Sequence, residues 1–441
     1  MKRIWVLGVV SIFVLVAMPL LAAPGPGGYP AYTGNPVELT EWAWTSNENF
    51  SNDLFTQAYP DIKINWTNNG VPYAQILTAT AAGSGLPDVI MSEYTYAPQF
   101  MSYGSFQAIN KWVSLDTYLK YYPEVTLKWC AMDGQLYGTP QDSGASTMVY
   151  RKDIFDKYKL TVPKTWAEFA AQAAKLHAAN PGISMISYPT SFVLVTMGLV
   201  WQAGGKMFDY SNGVWYINFQ NPTALKVFQF WQKLFKDKSV TAENWWNADW
   251  YAALKDGKDA TVVCGGWFPE WLQLNCKTPD GTWRVALTPQ WDAAKPTNGE
   301  MGGSGFYVSS QCKNPEAAAL FVLWLNSAKE SLVQLHDKSQ LPILWSSVFT
   351  DQLAPELAKQ PYPYFGGQAI TPVSVQGMGQ VNTAFTALPI MDYVSSSHNE
   401  ENLKFVNGQE DAATFLKNWE ANCVAFMKKQ GFNNLVVGKL P

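Results

Sequence analysis

The sequence predicts an α/β fold with a mainly parallel sheet. Two observations carry this. Through the first hundred residues, strand patterns and helix patterns alternate: VELTEWAW, then a helix, IKINWTN, then VPYAQILTATAAGSG, then LPDVIMSE. The last of these is a short apolar run without alternation, as a strand covered on both faces requires. Strand–helix–strand order of this kind builds a sheet with helices on its faces.

Taken in order, residues 1–22 read as a secretory signal peptide. Lys2 and Arg3 precede the uncharged stretch Ile4 to Leu21, and Ala22 and Ala23 follow. Pro24 obstructs cutting after Ala23, so cleavage after Ala22 is expected. An uncleaved anchor is the alternative, because about 18 apolar residues just span a bilayer. No cysteine follows the leader, which argues against an N-terminal lipid anchor. Residues 23–36, containing PGPGGYPAYTGNP, read as a flexible Pro/Gly tether. Folded structure is expected from Val37.

Later helices announce their own ends. Thr165 and Glu168 form a capping box for TWAEFAAQAAKLHAA. Asn221-Pro222 starts a helix with Val227, Phe228, Trp231, Leu234 and Phe235 on one face. Asn314-Pro315 starts PEAAALFVLWLNS, apolar nearly all round and therefore buried. The last helix carries Phe415, Leu416, Trp419, Cys423 and Phe426 on its apolar side, and Gly431 stops it.

Composition excludes several functions. The chain carries a net charge of −4; removing Lys2 and Arg3 from its 31 basic residues leaves 29 against 35 acidic ones. No basic run exists, so nucleic acid is not an expected partner. Three histidines, His177, His336 and His398, stand far apart, which argues against a histidine zinc site or a histidine-based triad. No cofactor or metal is expected. The five cysteines contain no CxxC; Cys264 and Cys276 are the nearest pair, and buried free thiols are the alternative. The anomaly is aromatic content. Twenty tryptophans exceed what a core needs, because each buried indole N–H wants an acceptor. Flat apolar rings with polar edges suit the C–H faces and hydroxyl rims of sugars.

Several motifs fall in one order: FTQAYPDIKINW, GSGLPDVI, GQLYGTPQDSGASTMVYRKDIFDKY, VPKTWAEFAAQAAKL, LKDGKDATVVCGGW and GGSGFYVSSQCKNPEAAALFVLWLNS. This series resembles the extracellular solute-binding proteins of sugar ABC importers, the family of maltose-binding protein, over nearly all of the chain past the leader. The resemblance implies a two-lobed periplasmic-binding-protein-like fold of type II, with a ligand cleft between lobes joined by hinge crossings. It places lobe one at 37–140 and 303–343 and lobe two at 141–302 and 344–441. It also implies a monomer that delivers a sugar to ABC permease subunits without chemistry. The aromatic content favours a short oligosaccharide. A secreted glycoside hydrolase, or a glycan sensor that does not transport, is the alternative.

Site residues follow from two sources. Open α/β sheets bind ligands beyond the carboxyl ends of their strands. That rule selects Trp42 and Trp44, then Glu93 and Tyr94. The resemblance selects Trp267 as an aromatic presented to the sugar, with Gln141 and Asp142 after the crossing YGTP. Core packing is the competing reading for Trp267 and Trp271, and a turn for Asp142. Glu270 either bonds hydroxyls or faces water. Trp246 and Asp249 belong to the cluster ENWWNADW, of which part packs inward with Trp245 and Trp250. Gly302, Gly303 and Gly305 let the backbone approach a ligand or a neighbouring strand, and Ser304 lies among them. Trp201 and the turn Gly204-Gly205 also come into consideration.

Overall fold

The computed structural model describes residues 25–44, 48–68, 72–339, 344–384 and 386–441. The expected signal peptide lies outside them. The first sheet runs Ile62–Asn68, Val37–Ala43, Val89–Glu93, Ser304–Val308, Gly138–Pro140. Its first three strands are parallel, as the alternation predicts. Ser304–Val308 runs antiparallel to both of its neighbours, because the chain re-enters this sheet from the opposite end. The second sheet centres on Ser146–Arg151, flanked antiparallel by Thr261–Gly265 and Trp283–Leu287. Past the first hundred residues these two sheets add antiparallel strands, while the short pairs of Ser187–Pro189 with Thr241–Glu243 and of Val214–Ile217 with Leu435–Val437 are parallel.

Local signals placed the helices well. The Thr165 hydroxyl accepts from Glu168 N at 3.1 Å and starts Trp166–Ala179. The Glu168 carboxylate reaches Lys164 N rather than the cap residue's own N–H. Asn221 Oδ1 accepts from Ala224 N at 3.0 Å and starts Pro222–Lys236. Pro315–Leu325 is buried from Ala317 to Leu325. It packs against Ser304–Val308 and Gly138–Pro140, which makes it the spine of the first lobe. Met391–Val406 and Ala412–Lys429 pack against each other and against Pro222–Lys236 in the second lobe.

One expectation is corrected and one alternative is decided. The stretch from Gly25 to Pro36 is not a free tether along its length. Tyr29 is 6% exposed, its ring stacks on Tyr121 at 5.2 Å, and its hydroxyl bonds Ser327 Oγ at 3.0 Å. One aromatic with a hydroxyl partner is enough to dock a Pro/Gly segment. Of the two readings of the cysteines, the buried free thiols are the one observed: all five are free and buried, Cys264 and Cys276 included.

Among the described residues, the stretches around Gln141, Met301 and Trp345 are laced side by side. Gln141 N donates to Ser304 O at 2.8 Å, and Trp345 N donates to Gln141 O at 2.8 Å. Met301 N donates to Gly144 O at 2.8 Å, and Ser146 N donates to Gly299 O at 3.0 Å. A separate apolar cluster of Leu332, Leu335, Leu344, Phe349, Leu353 and Ala354 packs beside this junction. Residues 341–343 of the third expected crossing fall outside the described residues.

Candidate functional site

Strand ends converge on the junction. Glu93 ends its strand opposite Ser304, and Gly265 ends its strand opposite Ser146. Gly302 and Gly303 join these two edges with φ of 108° and 92°, conformations that side chains with a Cβ disfavour. A Cβ on Gly302 would lie 2.9 Å from the Trp267 Nε1. A Cβ on Gly303 would lie 2.8 Å from the Tyr94 ring and 3.0 Å from Asp142 O. The glycines therefore admit neighbouring protein groups, with an indole on one side and a polar cluster on the other.

On the second-lobe side stands an aromatic wall. Phe192, Trp246 and Trp267 are half-buried. The Trp246 and Trp267 rings lie 5.6 Å apart at 34°, and Phe192 meets Trp246 edge-on at 5.1 Å. Trp267 Nε1 donates to Met301 O at 3.2 Å, which pins its ring against the crossing. Trp246 adopts φ 68°, a left-handed conformation unusual for a bulky residue and costing on the order of 1 kcal/mol. Buried Trp245, Trp250 and Phe268 back the wall.

On the other side lie three carboxyl groups. Glu93 Oε2 accepts from Tyr73 Oη at 3.3 Å. Asp142 Oδ1 accepts from Ser304 N at 2.9 Å and Ser304 Oγ at 2.5 Å. Glu300 accepts from Ser143 Oγ at 2.8 Å and Gly144 N at 2.5 Å. Burial pushes Glu93 up to about 7; the Tyr73 hydrogen bond opposes this and the Asp142 charge adds to it. Burial pushes Glu300 up to about 8 against its two hydrogen bonds, again with Asp142 adding. Asp142 is also raised by burial, with the Ser304 bonds opposing.

These shifts make a pH prediction. A carboxyl raised on folding binds its proton more tightly in the folded state. Its stabilisation is full below the unfolded value and is lost as pH rises through the folded one. His398 acts the other way: burial lowers it to about 4, so its stabilisation is lost as pH falls from about 6.5. The clean window therefore lies between about pH 6.5 and 8.5. Thermal unfolding at fixed ionic strength is expected to show a falling midpoint across it, flatter in Glu300→Gln. A rising midpoint in the parent protein would contradict the assignment.

A family model described as bacterial extracellular solute-binding protein matches residues 38–331, more than half of the chain. The chain belongs to that family. This solute-binding protein is 25% identical over 310 residues to the arabinooligosaccharide-binding protein of Halalkalibacterium halodurans, covering 68% of this chain and 67% of that one. It is 23% identical over 356 residues to the lactose-binding protein of Rhizobium radiobacter, covering 76% and 80%. A solved ABC-transporter-associated binding protein from B. animalis subsp. lactis, in complex with β-1,6-galactobiose, superimposes with a TM-score of 0.80. It is 26% identical and covers 91% of this chain and 100% of that one. The fold is the two-lobed type II arrangement of such binding proteins.

The solute-binding protein brings together only part of the expected set. Glu93, Asp142, Trp246, Trp267, Gly303 and Ser304 meet at the junction. Tyr94 is there but is no open platform: it is buried, stacks on Trp129 at 4.7 Å, and donates its hydroxyl hydrogen to Asp142 O at 2.9 Å. Gln141 is buried with its amide on Asn326 Oδ1 at 3.3 Å, inside the first lobe. Trp42 and Trp44 share one half-buried face, opposite buried Glu41 and Ala43. Trp271 and Asp249 are exposed on helices, and Glu270 is buried in the first turn of Phe268–Asn275. Trp201 is buried with its Nε1 on Asn382 O, so it lines no cleft. Sequence reasoning missed Phe192, Glu300 and Tyr73. Only Glu300 carried a usable signal, as an acid beside the glycines of a crossing.

Among the described residues no histidine, cysteine and carboxylate cluster suits a metal ion, and no helix is long and apolar enough to cross a membrane.

Proposed function

We propose that this protein captures a short oligosaccharide between its lobes and passes it unaltered to an ABC permease. The observation that carries this reading is the meeting of an indole wall with buried carboxyl groups at one junction. Indole faces bury the C–H faces of sugar rings, each burial contributing about 25 cal/mol per Å². A carboxyl group hydrogen-bonds sugar hydroxyls in either state, accepting when ionised and both donating and accepting when protonated. Binding across the junction favours the closed arrangement by its differential affinity for that state. Lobes 37–140 with 303–343, and 141–302 with 344–441, move as the two bodies. The leader 1–22 is removed on export, and the mature protein acts as a monomer in the extracytoplasmic space.

Galactose- and arabinose-containing oligosaccharides are the first class to test. The 26% identical neighbour was solved with β-1,6-galactobiose, and a 25% identical relative is named for arabinooligosaccharides. Calorimetric titration with di- and trisaccharides of these sugars is expected to show binding, with tryptophan fluorescence changing in step. A parallel assay should recover every glycan intact. Released reducing sugar would refute the transport reading, and binding of monosaccharides alone would refute the oligosaccharide.

A further inference from the structure

Behind the aromatic wall lies a polar relay that touches neither the junction nor its carboxyl groups. Ser187 is 1% exposed and serves two indoles at once. Its carbonyl accepts from Trp245 Nε1 at 3.0 Å, and its hydroxyl oxygen accepts from Trp250 Nε1 at 3.2 Å. The same hydroxyl donates its hydrogen to Asp259 Oδ2 at 2.9 Å. Asp259 is also 1% exposed.

The two tethered indoles stack on one another at 4.8 Å and 14°. Trp246 stands edge-on to both, at 6.0 Å from Trp245 and 5.4 Å from Trp250, and it leans on Trp267. Its left-handed backbone is unfavourable alone, so the neighbours hold it there.

We infer that Asp259 and Ser187 are positioning residues for the carbohydrate site, setting the pose of Trp246 and Trp267 through the Trp245–Trp250 stack. The chemistry is directional. A serine hydroxyl has one hydrogen, and Asp259 takes it. The oxygen is then left facing Trp250 with only lone pairs, which is what an indole N–H needs. Asparagine at 259 can present its amide nitrogen instead, which frees the serine hydrogen to compete with Trp250. Removing the Ser187 hydroxyl leaves the Trp250 N–H buried without an acceptor. Such second-layer partners orient the groups that touch ligand.

This inference rests on the proposed site, so the test separates the two. Ser187→Ala, Ser187→Thr, Asp259→Asn and Trp267→Ala are compared by calorimetry with β-1,6-galactobiose, near-ultraviolet circular dichroism and thermal unfolding. Ser187→Ala and Asp259→Asn are expected to keep a cooperative transition, lose the tryptophan dichroism of the stack, and weaken binding five- to twentyfold. Ser187→Thr restores both signals, since it keeps the hydroxyl. If Trp267→Ala binds like the parent, the site itself is misplaced. If Trp267→Ala loses binding while Ser187→Ala and Asp259→Asn keep parental affinity and dichroism, the site stands and the relay is overturned. Should Ser187→Ala fail to fold, Asp259→Asn, nearly equal in volume, decides alone.

Discussion

Trp267→Ala is expected to weaken oligosaccharide binding by about a hundredfold, or about 2.7 kcal/mol. The ring supplies apolar area worth about 1.5–3 kcal/mol when a large side chain is fully covered. It also closes the wall with Trp246, so its loss lets water into the space between the two rings. The substitution removes a half-buried side chain, which limits the cost to folding. Trp267→Phe separates the two contributions: it keeps an aromatic face but loses the bond from Nε1 to Met301 O. A loss of about tenfold is expected there, because the ring is no longer pinned to the crossing. Titration calorimetry on both variants, with circular dichroism to check the fold, gives the answer. Equal affinity for parent and Trp267→Ala would remove the wall from the binding site.

Gly303→Ala should lower the unfolding free energy by about 3 kcal/mol, the sum of a left-handed backbone and a steric clash. The φ of 92° is the first part, and the 2.8 Å approach to Tyr94 is the second. Tyr94 cannot yield easily. Its ring is stacked on Trp129, and its hydroxyl is held by Asp142 O and Gln141 N. The strain must move the crossing, so ligand affinity falls together with stability. Gly204→Ala is the matched control. It has φ 79° but nothing within 4 Å of the added methyl. Backbone strain alone, about 1 kcal/mol, is expected there. Urea unfolding of the two variants distinguishes them. Similar losses would show that close packing at Gly303 contributes nothing beyond its dihedral angle.

Part of the junction is legible in the sequence and part is not. Motif order places Trp267 after a strand and Asp142 after a crossing. Glu93 ends a strand that the apolar run LPDVIMSE marks clearly. Tyr94 and Gln141 adjoin Glu93 and Asp142 but are buried in bonds of their own, Tyr94 to Asp142 O and Gln141 to Asn326, since neighbouring residues on an extended chain face opposite ways. The tryptophan count suggested platforms but not which ones. Trp201 and Trp250 became core, whereas Trp246 came half into the open. Their surroundings decided this, and no local pattern distinguishes them. Phe192 had no signal at all: it precedes a helix that is apolar throughout, and only its contact with Trp246 gives it a role.

The sequence by itself determined the alternation of strands and helices in the first hundred residues and the starts of the later capped helices. Those features follow from hydrogen bonds and side-chain periodicity within a few residues, such as Asn221 over Ala224 N. The tertiary structure alone decided that residues 93, 142, 192, 246, 267 and 300 share one junction, and that Tyr29 docks instead of dangling. Contacts between positions so far apart depend on how the sheets face one another at the junction. That depends on the packing of the whole molecule, which no short window of residues contains.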